Sequence, residues 1–457
     1  MLNITVLRGS PKPKNSNTMQ YFHFIRNHFG EHHYEIFNVC SNINSLEDDS
    51  GLFDDLLNKL EKSDLILWVY PVFYFLVPSP VKRFIELLFK KEAGKILRGK
   101  YASAITTSMH LFDHTSHNYI HSISEDLGLK YVEGFSAQFN DLINLNSRRN
   151  LLLFAENLFK TAENRVPVAP QYPRIQYNEK RFVPESLTPV SKTKSHRILM
   201  LTDEQPGDEN LRQMTNVFKN SITNEVEVIN LYEIYLKHGC KSCLQCTYDG
   251  ICVTDDDMNR IYREKIMKAD AIVYCGTIRD RYLSWRWKMF FDRFFVNAHR
   301  PVLKGKQGGF IISGPLKEIP NLRQLYTSFS ETFGLNNLGF YTDEHSDDRS
   351  ITRSIQFFAQ QLVWAIDNQY AKPVSFLGVG GHLLLRDLNF LARFVFVENY
   401  KYYKQHKLLD FPQKQLKMRL VGLIIPVLLK MPGFRKKYLR NLNATMTKPL
   451  ISASKKA

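Results

Sequence analysis

The chain has 457 residues, 44% hydrophobic and 13% aromatic, enough for two or three domains with their own cores and unlike a disordered polymer. Its net charge of +16 is concentrated at one end: from Pro373 onward 16 Lys and Arg stand against 3 Asp and Glu, whereas the residues before it carry 45 against 42. No DNA- or RNA-binding module accompanies that charge, so nucleic acid is not an expected partner. The opening Met1-Leu-Asn-Ile-Thr-Val-Leu turns polar by Gly9, so neither signal peptide nor anchor is expected and the chain is placed in the cytoplasm.

Short apolar runs alternate with helical patterns, which predicts α/β architecture with parallel sheets. In the first half the expected strands are Asn3–Arg8, Tyr34–Val39, Leu65–Tyr70, Tyr101–Thr107 and Lys130–Phe139. In the second they are Arg197–Thr202, Glu225–Leu231, Ala271–Gly276, Gly309–Ser313 and Gly339–Thr342. Five strands with intervening helices fit two tandem flavodoxin-like, doubly wound sheets of order 2-1-3-4-5, with ligand sites beyond the carboxyl ends of the strands. The halves also resemble each other. Lys62-Ser-Asp-Leu-Ile-Leu aligns with Lys268-Ala-Asp-Ala-Ile-Val, and Lys82, Phe84 and Glu86 then match Lys288, Phe290 and Asp292. The expected division is 1–165, a proline-rich connector over 166–195, a second domain over 196–370, and a basic, mainly helical extension over 371–457.

The first strand runs into Gly9-Ser-Pro-Lys-Pro-Lys-Asn-Ser-Asn-Thr18 before a helical pattern. Such a turn can offer amides and hydroxyls to a phosphate, helped by Lys12 and Lys14, or can be an ordinary capped β–α turn. After the third strand comes Pro71-Val-Phe-Tyr-Phe, an aromatic segment suited to covering a planar ring. His110, His114, His117 and His121 follow within twelve residues, with Asp113 among them. They read as a polar surface face, a proton-donating lip over a bound ring, or a metal site.

In the second half the matching first loop, Thr202-Asp-Glu-Gln-Pro-Gly-Asp-Glu, is acidic and should repel a phosphate. The matching second loop, Thr277–Trp287, is rich in Arg and Trp. Between them lies Cys240-x2-Cys243-x2-Cys246-x5-Cys252, thiols close enough to share one inorganic centre. A [4Fe–4S] cluster, zinc, or a reduced loop are the alternatives. A disulfide framework is disfavoured, because only Cys40 and Cys275 accompany the run.

Gly9-Ser-Pro-Lys with Ser16-Asn-Thr18, and Pro71-Val-Phe-Tyr74 with Lys82-Arg-Phe-Ile-Glu86, resemble the NADPH-dependent FMN reductases. The cysteine run resembles the iron–sulfur flavoproteins of the same flavodoxin-like family. The resemblance implies FMN in the first half: Gly9, Ser10, Lys12, Ser16, Asn17 and Thr18 for its phosphate, and Pro71, Val72, Phe73 and Tyr74 for its ring. Thr106, Thr107 and Ser108 would complete the ring site. It further implies a [4Fe–4S] cluster on Cys240, Cys243, Cys246 and Cys252, with NAD(P)H as electron donor and a redox partner or small-molecule acceptor. Iron–sulfur flavoproteins bring cluster and FMN together across subunits, so this chain resembles such a dimer fused into a monomeric pseudo-dimer, with homo-oligomers also open. Tyr74 and His110 are the candidate acid–base groups. The rival function is a non-catalytic redox carrier or sensor.

In the extension, Gly378-Val-Gly-Gly381 lacks a preceding strand and is not read as a nucleotide fingerprint. Leu420–Leu429 is an apolar decamer flanked by cations, too short to span a bilayer. It suits an anionic membrane surface, which would make the chain peripheral at the inner face, or an acidic partner, or a helical cap.

Overall fold

The computed structural model describes residues 1–12, 16–185, 195–297, 299–345 and 347–454. Residues 1–400 and 401–457 form separate compact units. The first unit holds two parallel sheets. One has β1 (Asn3–Arg8), β2 (His33–Asn38), β3 (Leu65–Pro71), β4 (Tyr101–Ser108), β5 (Lys130–Tyr131) and β6 (Phe135–Gln138), in the order β2-β1-β3-β4-β5 with β6 also on β4. The other has β7 (Ile198–Thr202), β8 (Val226–Asn230), β9 (Ala271–Thr277), β10 (Gln307–Ser313) and β11 (Asn336–Thr342), in the order β11-β10-β9-β7-β8. Both are flavodoxin-like. The strand expected over Lys130–Phe139 is two short strands, each pairing a different stretch of β4.

The central strands β3, β4 and β10 are buried almost throughout, as parallel strands covered by helices on both faces must be. The chain from Val166 to Glu185 forms neither helix nor strand. It is nevertheless fastened: the Glu125 carboxylate accepts the Gln171 and Tyr172 amides at 2.8 Å, and Glu318 accepts that of Gln176 at 2.7 Å.

Two corresponding helices, Ser79–Lys90 and Trp285–Arg293, join the halves through reciprocal caps. Asp292 accepts the amide of Ser79 at 2.7 Å, and Glu86 accepts that of Trp285 at 2.7 Å. Each carboxylate thus serves the positive end of the other helix. Each also pairs with a lysine one turn back, Lys288 with Asp292 and Lys82 with Glu86. These are the residues that align in the sequence, so the duplication became a two-fold-like interface.

The Arg-rich loop adds the asymmetric part of that interface. Asp280 pairs with buried Lys82 at 3.0 Å and accepts the Tyr119 hydroxyl at 3.1 Å. Arg281 forks onto Asp126 at 2.6 and 2.8 Å.

Beyond the second sheet, the Phe376–Leu391 helix packs on the Pro320–Phe333 helix. A Cβ on Gly381 would lie 2.5 Å from Thr332 Oγ1, and one on Gly378 2.9 Å from Glu331 Cβ. The glycine run is therefore a close helix contact. In the second unit, Leu416–Leu428 and Pro432–Ser454 are helical, and no helix among the described residues is long and apolar enough to cross a membrane.

Candidate functional site

Just past β1, at the carboxyl end of the first sheet, a Cβ on Gly9 would lie 2.5 Å from Val81 on the Ser79–Lys90 helix and 2.8 Å from Tyr70 on β3. Only glycine fits there. The turn that follows is held by Arg8, whose guanidinium donates to the Lys12 carbonyl at 2.6 Å. Ser16 caps the Asn17–His28 helix by accepting the Met19 amide at 3.3 Å. Thr18 and Thr107 share a hydroxyl hydrogen bond of 2.5 Å, tying this helix to β4.

A cavity of about 440 Å³ opens beside the turn. Of the expected cofactor residues, Lys12, Asn17, Val72, Phe73, Tyr74 and Ser108 line it. Gly9, Ser10, Ser16, Thr18, Thr106 and Thr107 are buried behind that lining, and Pro71 is half-buried. Lys14 lies outside the described residues. The cavity lining combines a lysine, an asparagine at a helix N-terminus and aromatic side chains. That donor set, and a volume typical of ligand sites, fits a phosphate-bearing planar ring such as FMN.

Tyr74 and Phe75 have φ of 41° and 66°, in a turn closed by reciprocal backbone bonds between Phe73 and Leu76. Two bulky residues in the left-handed region mark a constrained segment of the kind that gathers at ligand sites. The Tyr74 ring stacks on Phe333 (centroids 5.6 Å, 18°), and burial pushes its phenol upward. Phe333 comes from the second half, as do the lining residues Phe295 and His299. Leu388, Val395 and Phe396 come from still farther along the chain. Burial depresses His299 to about 4, so its imidazole is neutral near pH 7. Sequence reasoning missed this wall. The duplication was its one signal, since a fused dimer sets one half over the other's cavity.

The histidine run separates into individual duties. Asp113 accepts from His110 Nδ1 at 2.7 Å and from the Ser136 hydroxyl at 2.6 Å. Burial pushes the Asp113 carboxyl upward, but the bonds from His110 and Ser136 outweigh it and hold the group below its ordinary value. His117 bonds Thr106 at 2.8 Å and is pushed down to about 4 by burial; His114 bonds Gln324 at 3.0 Å, and His121 bonds Glu125 at 2.9 Å. His110 does not line the cavity. The candidate acid–base pair is thus split, with Tyr74 in the wall and His110 outside it.

Cys240, Cys243, Cys246 and Cys252 all line a second cavity, of about 370 Å³, together with Lys237, Lys241 and Arg293. The Ser242 amide donates to Cys240 Sγ at 3.4 Å, and Arg293 Nη2 donates to Cys252 Sγ at 3.4 Å. Arg293 is itself fixed by a fork onto Asp256. Asn259 holds the end of the loop, accepting the Cys252 amide and donating to its carbonyl. Burial raises the Cys240 and Cys246 thiols to about 12, so both are protonated until something stabilises the thiolates. Four thiols, N–H donors onto two of them, exposed Lys237 and Lys241 and buried Arg293 are the chemistry that suits a thiolate-ligated inorganic centre. The four thiols line a common space, yet among the described residues no three His, Cys, Asp or Glu groups are placed to hold a metal ion. Cys240 lines this cavity and the first one as well. Leu244 and Phe295 also line both, so the two candidate sites are direct neighbours.

In the second half, register with the neighbouring strand puts Asp203 where the first half has Gly9. Its buried carboxylate accepts the amides of Thr277 and Ser284 at 3.3 Å each, and burial raises it to about 6. Asp208 pairs with Arg279, and Asp343 accepts from the Gly314 amide and the Ser313 hydroxyl. The expected acidic loop exists: Asp203 and Asp208 are buried, Asp203 at the equivalent of the phosphate turn's glycine, while Glu204 and Glu209 pair with Arg212.

Residues 2–140 match the family described as NADPH-dependent FMN reductase. An iron–sulfur flavoprotein of Archaeoglobus fulgidus is 33% identical over 88 residues, which are 19% of this chain and 39% of that protein. The chain therefore spans about two fifths of the length of this curated relative. Among solved structures, an NADH:FMN oxidoreductase in its apo form aligns with 35% of this chain and 88% of its own, at 12% identity and a TM-score of 0.30. An NAD(P)H:quinone oxidoreductase from Methanothermobacter marburgensis aligns with 38% and 98%, at 13% identity and a TM-score of 0.30.

Proposed function

We propose that this chain, FMN-reductase-like over its first sheet, is an NAD(P)H-dependent flavin oxidoreductase. It passes electrons between FMN in the first sheet's cavity and a [4Fe–4S] cluster on the cysteine loop. The observation that carries this reading is Cys240, which lines both cavities. Two redox centres so placed are separated by side chains rather than by a domain's width.

Lys12 and the Asn17–His28 helix N-terminus would hold the FMN phosphate, with Gly9, Ser10, Ser16 and Thr18 shaping the turn behind them. Val72, Phe73, Tyr74 and Ser108 would face the ring, supported by Pro71, Thr106 and Thr107. Bound there, FMN supplies the capacity to accept two electrons together and to release them singly. The protein's own work is positional. The Phe295, Phe333 and Phe396 wall excludes water from the ring, and neutral His299 adds no positive charge to it. Cys240, Cys243, Cys246 and Cys252 would ligate the cluster, with Lys237, Lys241 and Arg293 balancing the thiolate charge.

Strictly anaerobic purification followed by iron, labile sulfide and FMN determination tests the assignment. Four iron, four sulfide and one FMN per chain are expected, and flavin without iron or sulfide sinks the cluster. NADPH or NADH consumption with a flavin-reactive acceptor separates an enzyme from an idle carrier.

A further inference from the structure

The cysteine loop and both cavities leave the last 47 residues without a role. From Phe411 to Ala457 the sequence has eleven Lys and Arg and no Asp or Glu. The same stretch holds an apolar helix with exposed leucines. In Leu416–Leu428, Leu416, Leu420, Leu423 and Val427 recur at one helical face and are 66%, 57%, 70% and 62% exposed. Ile424 beside them is 54% exposed. In the Pro432–Ser454 helix a second stripe, Leu439, Met446 and Leu450, is equally bare, and Arg435 and Lys436 flank it.

Contiguous exposed apolar side chains mark a binding face. The charge identifies the occupant. Apolar stripes rimmed only by cations match the boundary between acyl chains and anionic headgroups. There the stripe enters hydrocarbon while lysine and arginine stems reach back to phosphate. Neither helix is apolar for long enough to cross. We infer that residues 411–454 dock this protein on an anionic lipid bilayer, with the two helices lying in the plane of the interface.

The test is flotation of the full chain with vesicles of phosphatidylcholine alone or with 30% phosphatidylglycerol. At least tenfold more protein should float with the anionic vesicles, and raising the salt should weaken that preference. Leu420→Glu with Leu423→Glu should abolish flotation. Arg435→Gln, Lys436→Gln and Lys437→Gln together should remove the lipid preference. Both variants should retain flavin absorbance and helical circular dichroism, which shows that the body has folded. Equal or absent flotation on the two vesicle types overturns the inference, and so does unchanged flotation of the leucine variant. Light scattering that shows a dimer dissociated by the leucine substitutions would assign the face to a second copy and also overturn it.

Discussion

The two halves of the first unit keep the same cavity and furnish it differently. Around the first, Val72, Phe73, Tyr74, Met109, Phe295 and Phe333 contribute. At the matching places in the second, about 510 Å³ in volume, stand Ile278, Arg279, Asp280, Pro315, Phe89 and Leu127. Each cavity takes two of these six residues from the opposite half, as a two-fold arrangement requires. The aromatic ring wall of one has become ion-pairing groups in the other, and Gly9 has become Asp203. The scaffold was retained while its cofactor turn was filled by a carboxylate already satisfied by amides. The sheet tolerates a complete change of the residues in its turns.

The sharpest way to break the comparison is at the paired helix caps. Asp292→Ala leaves buried Lys288 without its carboxylate and should cost about 3–5 kcal/mol of unfolding free energy in urea titrations. Glu86→Ala leaves Lys82 paired with Asp280 and should cost only about 1–2 kcal/mol. Equal losses would show that the interface is more symmetric than its contacts.

A second measurement asks which turn binds flavin. Lys12→Glu puts a carboxylate beside the phosphate position and should weaken FMN binding about thirtyfold or more, near 2 kcal/mol, by fluorescence titration. Asp203→Asn should leave FMN at one per chain. A second flavin in that variant would mean that charge alone, and not the filled turn, closed the second half.

The buried Asp203 carboxyl also predicts a pH signature. Its folded pKa is raised to about 6, so the native state binds its proton more tightly than the unfolded chain does. Its contribution is full below the ordinary carboxylate value and is lost as pH rises through 6, by about 3 kcal/mol. The stability of Asp203→Asn relative to the parent should therefore increase between pH 4 and 6 and level off above. A flat difference would place the carboxylate in a wetter site. The smallest effect is expected at His110, which stands outside the cavity. His110→Ala should change NAD(P)H oxidation less than about threefold, and a larger loss would make it a proton donor after all.

Nine of the eleven strands could be placed one to one from the sequence because strand signals are local: a short apolar run between turn residues suffices. The split of Lys130–Phe139 was not legible, since it depends on which part of β4 each segment meets. The cysteine spacing and the Gly9–Thr18 turn were legible for the same local reason. The Gly378–Gly381 run shows the opposite case. Its glycines make sense only against Glu331 and Thr332, which the chain's own neighbourhood does not reveal.

By itself the sequence determined two parallel sheets, a duplication and a compact thiol motif, because periodicity, turn chemistry and spacing act within about a dozen residues. Tertiary structure alone decided that Phe333 stacks on Tyr74, that Asp203 fills a turn, and that Cys240 borders both cavities. Those facts join residues some seventy to two hundred and sixty positions apart. They follow from packing, within the second sheet for Asp203 and between the halves for Phe333, that no local window contains.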